Sequence, residues 1–134
     1  RVFVKQKNLE FVNIIVKGLW SSPATLRFSC NKNSSSTVNE SGDVEISVDA
    51  IDRFHIPTTF IKMDIEGAEY EALVGAEETI RKHRPNLAIA LYHKPEDLLQ
   101  IPAYIKSLCP DYRLYLRIHS YYSEELVLYA TVQN

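Results

Sequence analysis

The segment Asn86 to Tyr92, NLAIALY, constrains this chain most, because Leu87 to Tyr92 is its longest uninterrupted apolar run. Successive side chains of a strand point to opposite faces, so a run with no polar member suits a central parallel strand covered on both faces. Helical patterns flank it. Ala68, Ala72, Leu73, Ala76 and Ile80 recur at helical spacing, with Lys82, His83 and Arg84 where cations suit the helix dipole and Pro85 just beyond. They predict one helix of about four turns, weakened at Gly75. Pro95 to Leu108 is a second helical pattern, which Pro102 is expected to break or kink.

The other segments fit around this unit. Phe11 to Leu19 (FVNIIVKGL) is short, apolar and β-branched and predicts a first, buried strand. Thr25 to Cys30 and Asp43 to Val48 alternate apolar with polar around the Ser- and Asn-rich stretch Asn31 to Gly42, which predicts a hairpin with a long mobile loop. Ala50 to Ile56 predicts a short helix closed by Pro57, and Thr58 to Ile65 a strand. Tyr112 to Ile118 and Glu125 to Val132 predict two antiparallel neighbours joined by a short polar link. This order of elements is that of an α/β fold.

Charge and cysteine content exclude several functions. Fifteen basic against 17 acidic side chains give a net charge of −2, so the chain is no strongly basic nucleic-acid binder. Its longest apolar run is far short of the roughly 20 residues needed to span a bilayer, and no apolar signal segment follows Arg1, which predicts a cytoplasmic protein without a membrane span. Cys30 and Cys109 form neither a disulfide framework nor a metal pair and read as reduced thiols. The chain opens without methionine on the apolar stretch Val2 to Val4, as a fragment beginning in mid-domain would.

Ligands of an open parallel sheet bind beyond the carboxyl ends of its strands. By that rule Asp64 and Glu66, His93, and the stretch Arg117 to Tyr122 face one crevice. On an extended backbone Asp64 and Glu66 point the same way; alternatively they cap the helix that follows, as could Glu69. An imidazole suits a general base near neutrality, although a histidine also serves to bond the turn after a strand. Two carboxylates and a histidine are too few to assert a Mg²⁺ site, so no metal is assigned. The triplets starting at Asn33 and Asn39 match the glycosylation pattern by chance in a Ser-rich loop.

Together, IKMDIEGAEYEAL (residues 61–73), NLAIALYH (86–93), PEDLLQIPAYI (95–105) and LYLRIHS (114–120) resemble the FkbM family of S-adenosylmethionine-dependent methyltransferases. The likeness extends back through DAIDRF (49–54) and VKGLW (16–20), so residues 1–134 resemble a single partial domain of that family. It implies a class I, Rossmann-like and mostly parallel sheet, incomplete in its N-terminal half and with an antiparallel last strand. It also implies S-adenosylmethionine as cofactor and methylation of a hydroxyl on a sugar, glycan or other small-molecule acceptor. His93 would be the base and Asp64 would orient acceptor or donor. Gly18 and Trp20 would lie near adenine, with Asp64 and Glu66 also at the cofactor, and Arg117, His119 and Tyr121, with Tyr122, would rim the acceptor. Trp20 fits an ordinary core position equally, and the rim residues fit solvated loops.

The glycine-rich donor loop and the ribose-binding acidic residue of such domains have no counterpart before Phe11. Two strands of the family's sheet are then missing beside Thr58 to Ile65. The strands must re-pair, or Phe60 to Met63 becomes an apolar edge that invites aggregation. The isolated chain is therefore expected to be inactive and poorly soluble. Two other functions fit the same residues: a non-catalytic α/β binding module derived from a methyltransferase, and, less well, a Mg²⁺-dependent hydrolase using Asp64 and Glu66.

Overall fold

A computed structural model describes residues 11–30, 36–38, 44–120 and 125–132. Strand β1 (Gly18–Leu19), β2 (Ala24–Cys30), β3 (Ser36–Val38) and β4 (Val44–Asp49) are followed by a 3₁₀ turn, Ile51–Phe54. Then come β5 (Phe60–Met63), α1 (Glu69–Val74), α2 (Glu77–His83), β6 (Asn86–Ala90), α3 (Asp97–Leu108), β7 (Arg113–Ile118) and β8 (Leu126–Thr131). The fold is mixed α/β with two four-stranded sheets, ordered β1-β4-β2-β3 and β5-β6-β8-β7.

The apolar run is central, as its composition requires. Strand β6 lies between β5, parallel to it, and β8, antiparallel, with Leu87, Ala88, Ile89 and Ala90 all buried. Registry places Ile61, Leu87 and Ala130 in one row and Met63, Ile89 and Leu128 in the next, on one face of the sheet. Leu73, Ala76 and Ile80 from α1 and α2, and Ile101, Ile105 and Leu108 from α3, close over that face. The buried Tyr112 hydroxyl donates to the Pro85 carbonyl at 2.6 Å, and its pKa is pushed up to about 12, mainly by burial.

Several elements depart from the periodicity. The four-turn helix is two helices, because the chain from the first sheet docks against its middle. A Cβ on Gly75 would stand 2.1 Å from the Trp20 carbonyl oxygen. Asp52 then enters the ladder: its N–H donates to the Gly75 carbonyl, and its carboxylate accepts from Glu78 N at 3.0 Å and Thr79 N at 2.8 Å. An aspartate distant in sequence thus does for α2 what an N-cap residue does locally. Asp52→Ala should lower stability by about 0.5–2 kcal/mol, read as a lower urea midpoint with an unchanged m-value.

Helix α3 runs through Pro102 unbroken. The proline removes one ladder bond in the first half of the helix, while Ile101 and Ile105 on either side are wholly buried and hold both halves to the sheet. Of Phe11 to Leu19, only Gly18–Leu19 pairs, in parallel with Val48 and Asp49 of β4; residues 12–16 have no regular structure and are exposed. A β-branched run becomes a strand only where a neighbour meets it, and β4 meets it at that end alone. Strands β2 and β4 form the predicted antiparallel pair, but Ser36–Val38 from the intervening loop adds a third strand on β2. The helix expected over Ala50 to Ile56 is the shorter 3₁₀ turn.

Two of the six described strand pairings, β1–β4 and β5–β6, are parallel, so both sheets are mixed rather than mostly parallel. β7 and β8 are antiparallel neighbours, as predicted. Among the described residues β5 pairs only with β6, so it is an edge, and Phe60 on it is 56% exposed. No described helix is long and apolar enough to cross a membrane.

Candidate functional site

Chemistry gathers where β5 and β6 end together. Their parallel pairing brings Met63 opposite Ile89, so the residues after each strand leave on the same side. After β5 the chain turns sharply through two left-handed residues, Glu66 (φ 57°) and Gly67 (φ 87°), into α1. Glu69, the first residue of α1, folds its side chain back so that Oε1 accepts the Ile65 N–H at 2.8 Å. Its side chain is 0% exposed.

Tyr92 and His93 follow β6. The Tyr92 hydroxyl donates to Asp64 Oδ1 at 2.8 Å, and that bond, with some burial, pushes its pKa up to about 12. The His93 side chain is 10% exposed. Its Nδ1 stands 3.0 Å from Glu69 Oε1, and its Nε2 stands 3.6 Å from both Asp64 Oδ1 and Glu66 Oε2. Neither ring nitrogen makes a hydrogen bond, nor does Glu69 Oε2. The Tyr92 ring packs on the imidazole at 4.0 Å between centroids.

Next to this cluster lies a cleft of about 270 Å³ lined by Lys62, Asp64, Tyr92, His119, Glu125, Val127 and Tyr129. His119 Nε2 and the Tyr129 hydroxyl are 3.0 Å apart. Asp64 and Tyr92 are shared by cleft and cluster, so a molecule in the cleft borders the carboxylates that surround His93.

Asp97, the first residue of α3, is also buried, and its Oδ2 has no hydrogen-bond partner. Burial raises its pKa above the ordinary 3.8, with Lys94 opposing and Glu69 adding to the rise. A carboxyl that holds its proton more tightly folded than unfolded costs stability as pH climbs from 3.8 through the raised value. Asp97→Asn should therefore melt higher than wild type at pH 7 and lose that advantage on acidification below the unfolded value, as differential scanning calorimetry across pH would read.

The structure brings Asp64, Glu66 and His93 together and puts His119 at the adjoining cleft. Arg117 is exposed and does not line the cleft; its guanidinium lies 5.9 Å from the Tyr115 ring centroid and donates to the Leu116 carbonyl. Tyr121 and Tyr122 lie outside the described residues. Gly18 packs on β4, where a Cβ would stand 2.9 Å from Val48 Cγ1, and the Trp20 backbone meets Gly75 beyond the C-terminal end of α1. Glu69 is at the opposite end of that helix, about 9 Å away at 1.5 Å per residue.

Tyr92, Lys62, Glu125 and Tyr129 carry no signal of their own in the sequence. Glu69 does carry one, since it falls on the same helical stripe as Leu73, Ala76 and Ile80, where a charge is out of place unless it is used or paired.

A family model described as the methyltransferase FkbM domain matches residues 2–121. Among solved structures, the chain is similar to methyltransferase FkbM from Methylobacillus flagellatus KT, with 32% sequence identity and a TM-score of 0.75. The match covers 96% of this chain and 32% of that one, so this chain spans about a third of that protein's length. Among curated proteins none matches the chain.

Proposed function

This chain belongs to the FkbM methyltransferase domain family, and on that footing we propose that it is part of an S-adenosylmethionine-dependent O-methyltransferase acting on a hydroxyl of a sugar or other small molecule. The observation that carries this is the meeting of Asp64, Glu66 and His93 at the ends of the parallel strands β5 and β6, beside a cleft. We read the β5–β6 unit with its helical crossover as part of a Rossmann-like class I sheet.

His93 is the proton acceptor in this reading, reached from the cleft through one water beside Asp64, since Asp64 and Tyr92 rather than His93 line the cleft. Its Nε2 has no hydrogen bond, and the two carboxylates at 3.6 Å stabilise the imidazolium that forms. Asp64, fixed by the Tyr92 hydroxyl, orients the acceptor in the cleft. His119, Tyr129 and Tyr92 supply the hydrogen bonds and aromatic faces that suit a sugar. The free, buried Cys109 suits a reducing, cytoplasmic setting.

S-adenosylmethionine supplies a methyl group on a sulfonium cation. The carboxylates of Asp64 and Glu66 fit that positive end by charge, whereas the nucleotide end meets no glycine cradle among the described residues. That disparity favours a second reading, a non-catalytic binding module in which Gly18 and Trp20 serve packing alone. The two separate in one experiment. The longest reading frame containing this chain is incubated with methyl-labelled donor and a panel of sugar and macrolide alcohols. Label on an acceptor, lost in Asp64→Ala, supports the enzyme; a folded protein with no donor affinity supports the module.

A further inference from the structure

We propose that Asp64, Glu69 and His93 form a binding site for a divalent first-row transition cation of the Mn²⁺ and Zn²⁺ kind. Each residue offers one ligand atom, and these atoms all lie within 4.8 Å of one another. The interior half of the cluster is what distinguishes it from surface acids. Glu69 is wholly buried with Oε2 unpartnered, and the imidazole of His93, nine-tenths buried, has both nitrogens unpartnered. A buried carboxylate without full compensation is costly, and a cation supplies that compensation.

The distances have the same meaning. His93 Nδ1 and Glu69 Oε1 are 3.0 Å apart without forming a hydrogen bond. Two ligands of one ion, with bonds of about 2.1 Å, stand roughly 3 Å apart at right angles and roughly 3.4 Å apart at the tetrahedral angle. Both carboxylates are also held from outside: the Ile65 N–H fixes Glu69 at 2.8 Å and the Tyr92 hydroxyl fixes Asp64 at 2.8 Å. Such outer contacts orient metal ligands. Glu66 Oε2, 3.6 Å from Nε2, adds negative charge on the exposed side. One nitrogen among oxygens selects the class of ion, because Mg²⁺ and Ca²⁺ favour oxygen alone, whereas imidazole suits Zn²⁺ and a mainly carboxylate set also suits Mn²⁺, the weaker binder of the two.

This geometry suits a cation whether or not the site transfers methyl groups. An imidazole that holds a cation is not free to take a proton, so loading the site would inhibit the reaction proposed above.

The test is a titration of the longest reading frame containing this chain with Mn²⁺ followed by electron paramagnetic resonance, in which bound ion loses the six-line signal of free Mn²⁺. One equivalent should bind, Zn²⁺ should displace it, and Asp64→Asn and Glu69→Gln should each weaken binding by about tenfold or more. Circular dichroism checks that each variant folds; should Glu69→Gln not fold, the exposed Asp64→Asn decides alone. No binding at about 1 mM, or wild-type affinity in a folded variant, overturns the site, and displacement by Mg²⁺ as effective as by Zn²⁺ overturns the choice of ion. Binding without inhibition of methyl transfer leaves the site standing and overturns His93 as the base.

Discussion

Gly75→Ala should unfold at clearly lower temperature and urea concentration than wild type, although helix propensity alone favours the change. Gly75 has an ordinary right-handed backbone, φ −72°, so no conformational need for glycine exists there. On propensity, alanine would gain at most the helix-interior value of about 0.8–1 kcal/mol, since Gly75 caps α1 rather than lying inside it. The new methyl group, however, would stand 2.1 Å from the Trp20 carbonyl oxygen and 3.2 Å from the Ala50 Cα, both of them backbone atoms that no rotamer change can move aside. Overpacking of this kind costs about 1–3 kcal/mol, occasionally more, so the net effect is loss.

The damage should also be directional. The Trp20 segment carries β1, and Asp52 reaches α2 from the same side, so pushing Trp20 away loosens the first sheet from the helices. We therefore expect a reduced m-value or a second transition, in contrast to Asp52→Ala. A variant as stable as wild type would show that the Trp20 contact is not made in solution.

The second large effect is on activity. On the proposed methyltransferase reading, His93→Ala in the longest reading frame containing this chain should lower kcat by about 10²–10⁴-fold, the usual worth of a general base, with little change in KM for the acceptor, because His93 does not line the cleft. His93→Gln should be no better, since it keeps the polar volume and lacks the basic nitrogen. Asp64→Asn, which borders both cleft and imidazole, should raise KM as well as lower kcat. Steady-state kinetics on metal-free protein measures all three, and wild-type turnover in His93→Ala would remove the histidine from the chemistry.

The site is partly legible in the sequence because strand ends are local features. The apolar run at Leu87 locates β6, and the residues just past it and past β5 have to emerge at one end of the sheet, which places His93 with Asp64 and Glu66. Glu69 is visible only as a charge on an apolar stripe, and its contact with His93 depends on how α1 sits against β6. Tyr92 is hidden because it extends the apolar run, and only the approach of Asp64, 28 residues earlier, gives its hydroxyl a partner.

The same division holds for the fold. Periodicity of apolar residues determined the elements from β5 to β8 in kind and order, apart from the break at Gly75, and the central place of β6, since it reports which faces must leave water. The break at Gly75, the capping of α2 by Asp52, the unbroken α3 and the separation into two sheets were decided by the tertiary structure. Each depends on a backbone or carboxylate group supplied from elsewhere in the chain, or on buried anchors that outweigh a local penalty, and neither leaves a trace in the spacing of nearby residues.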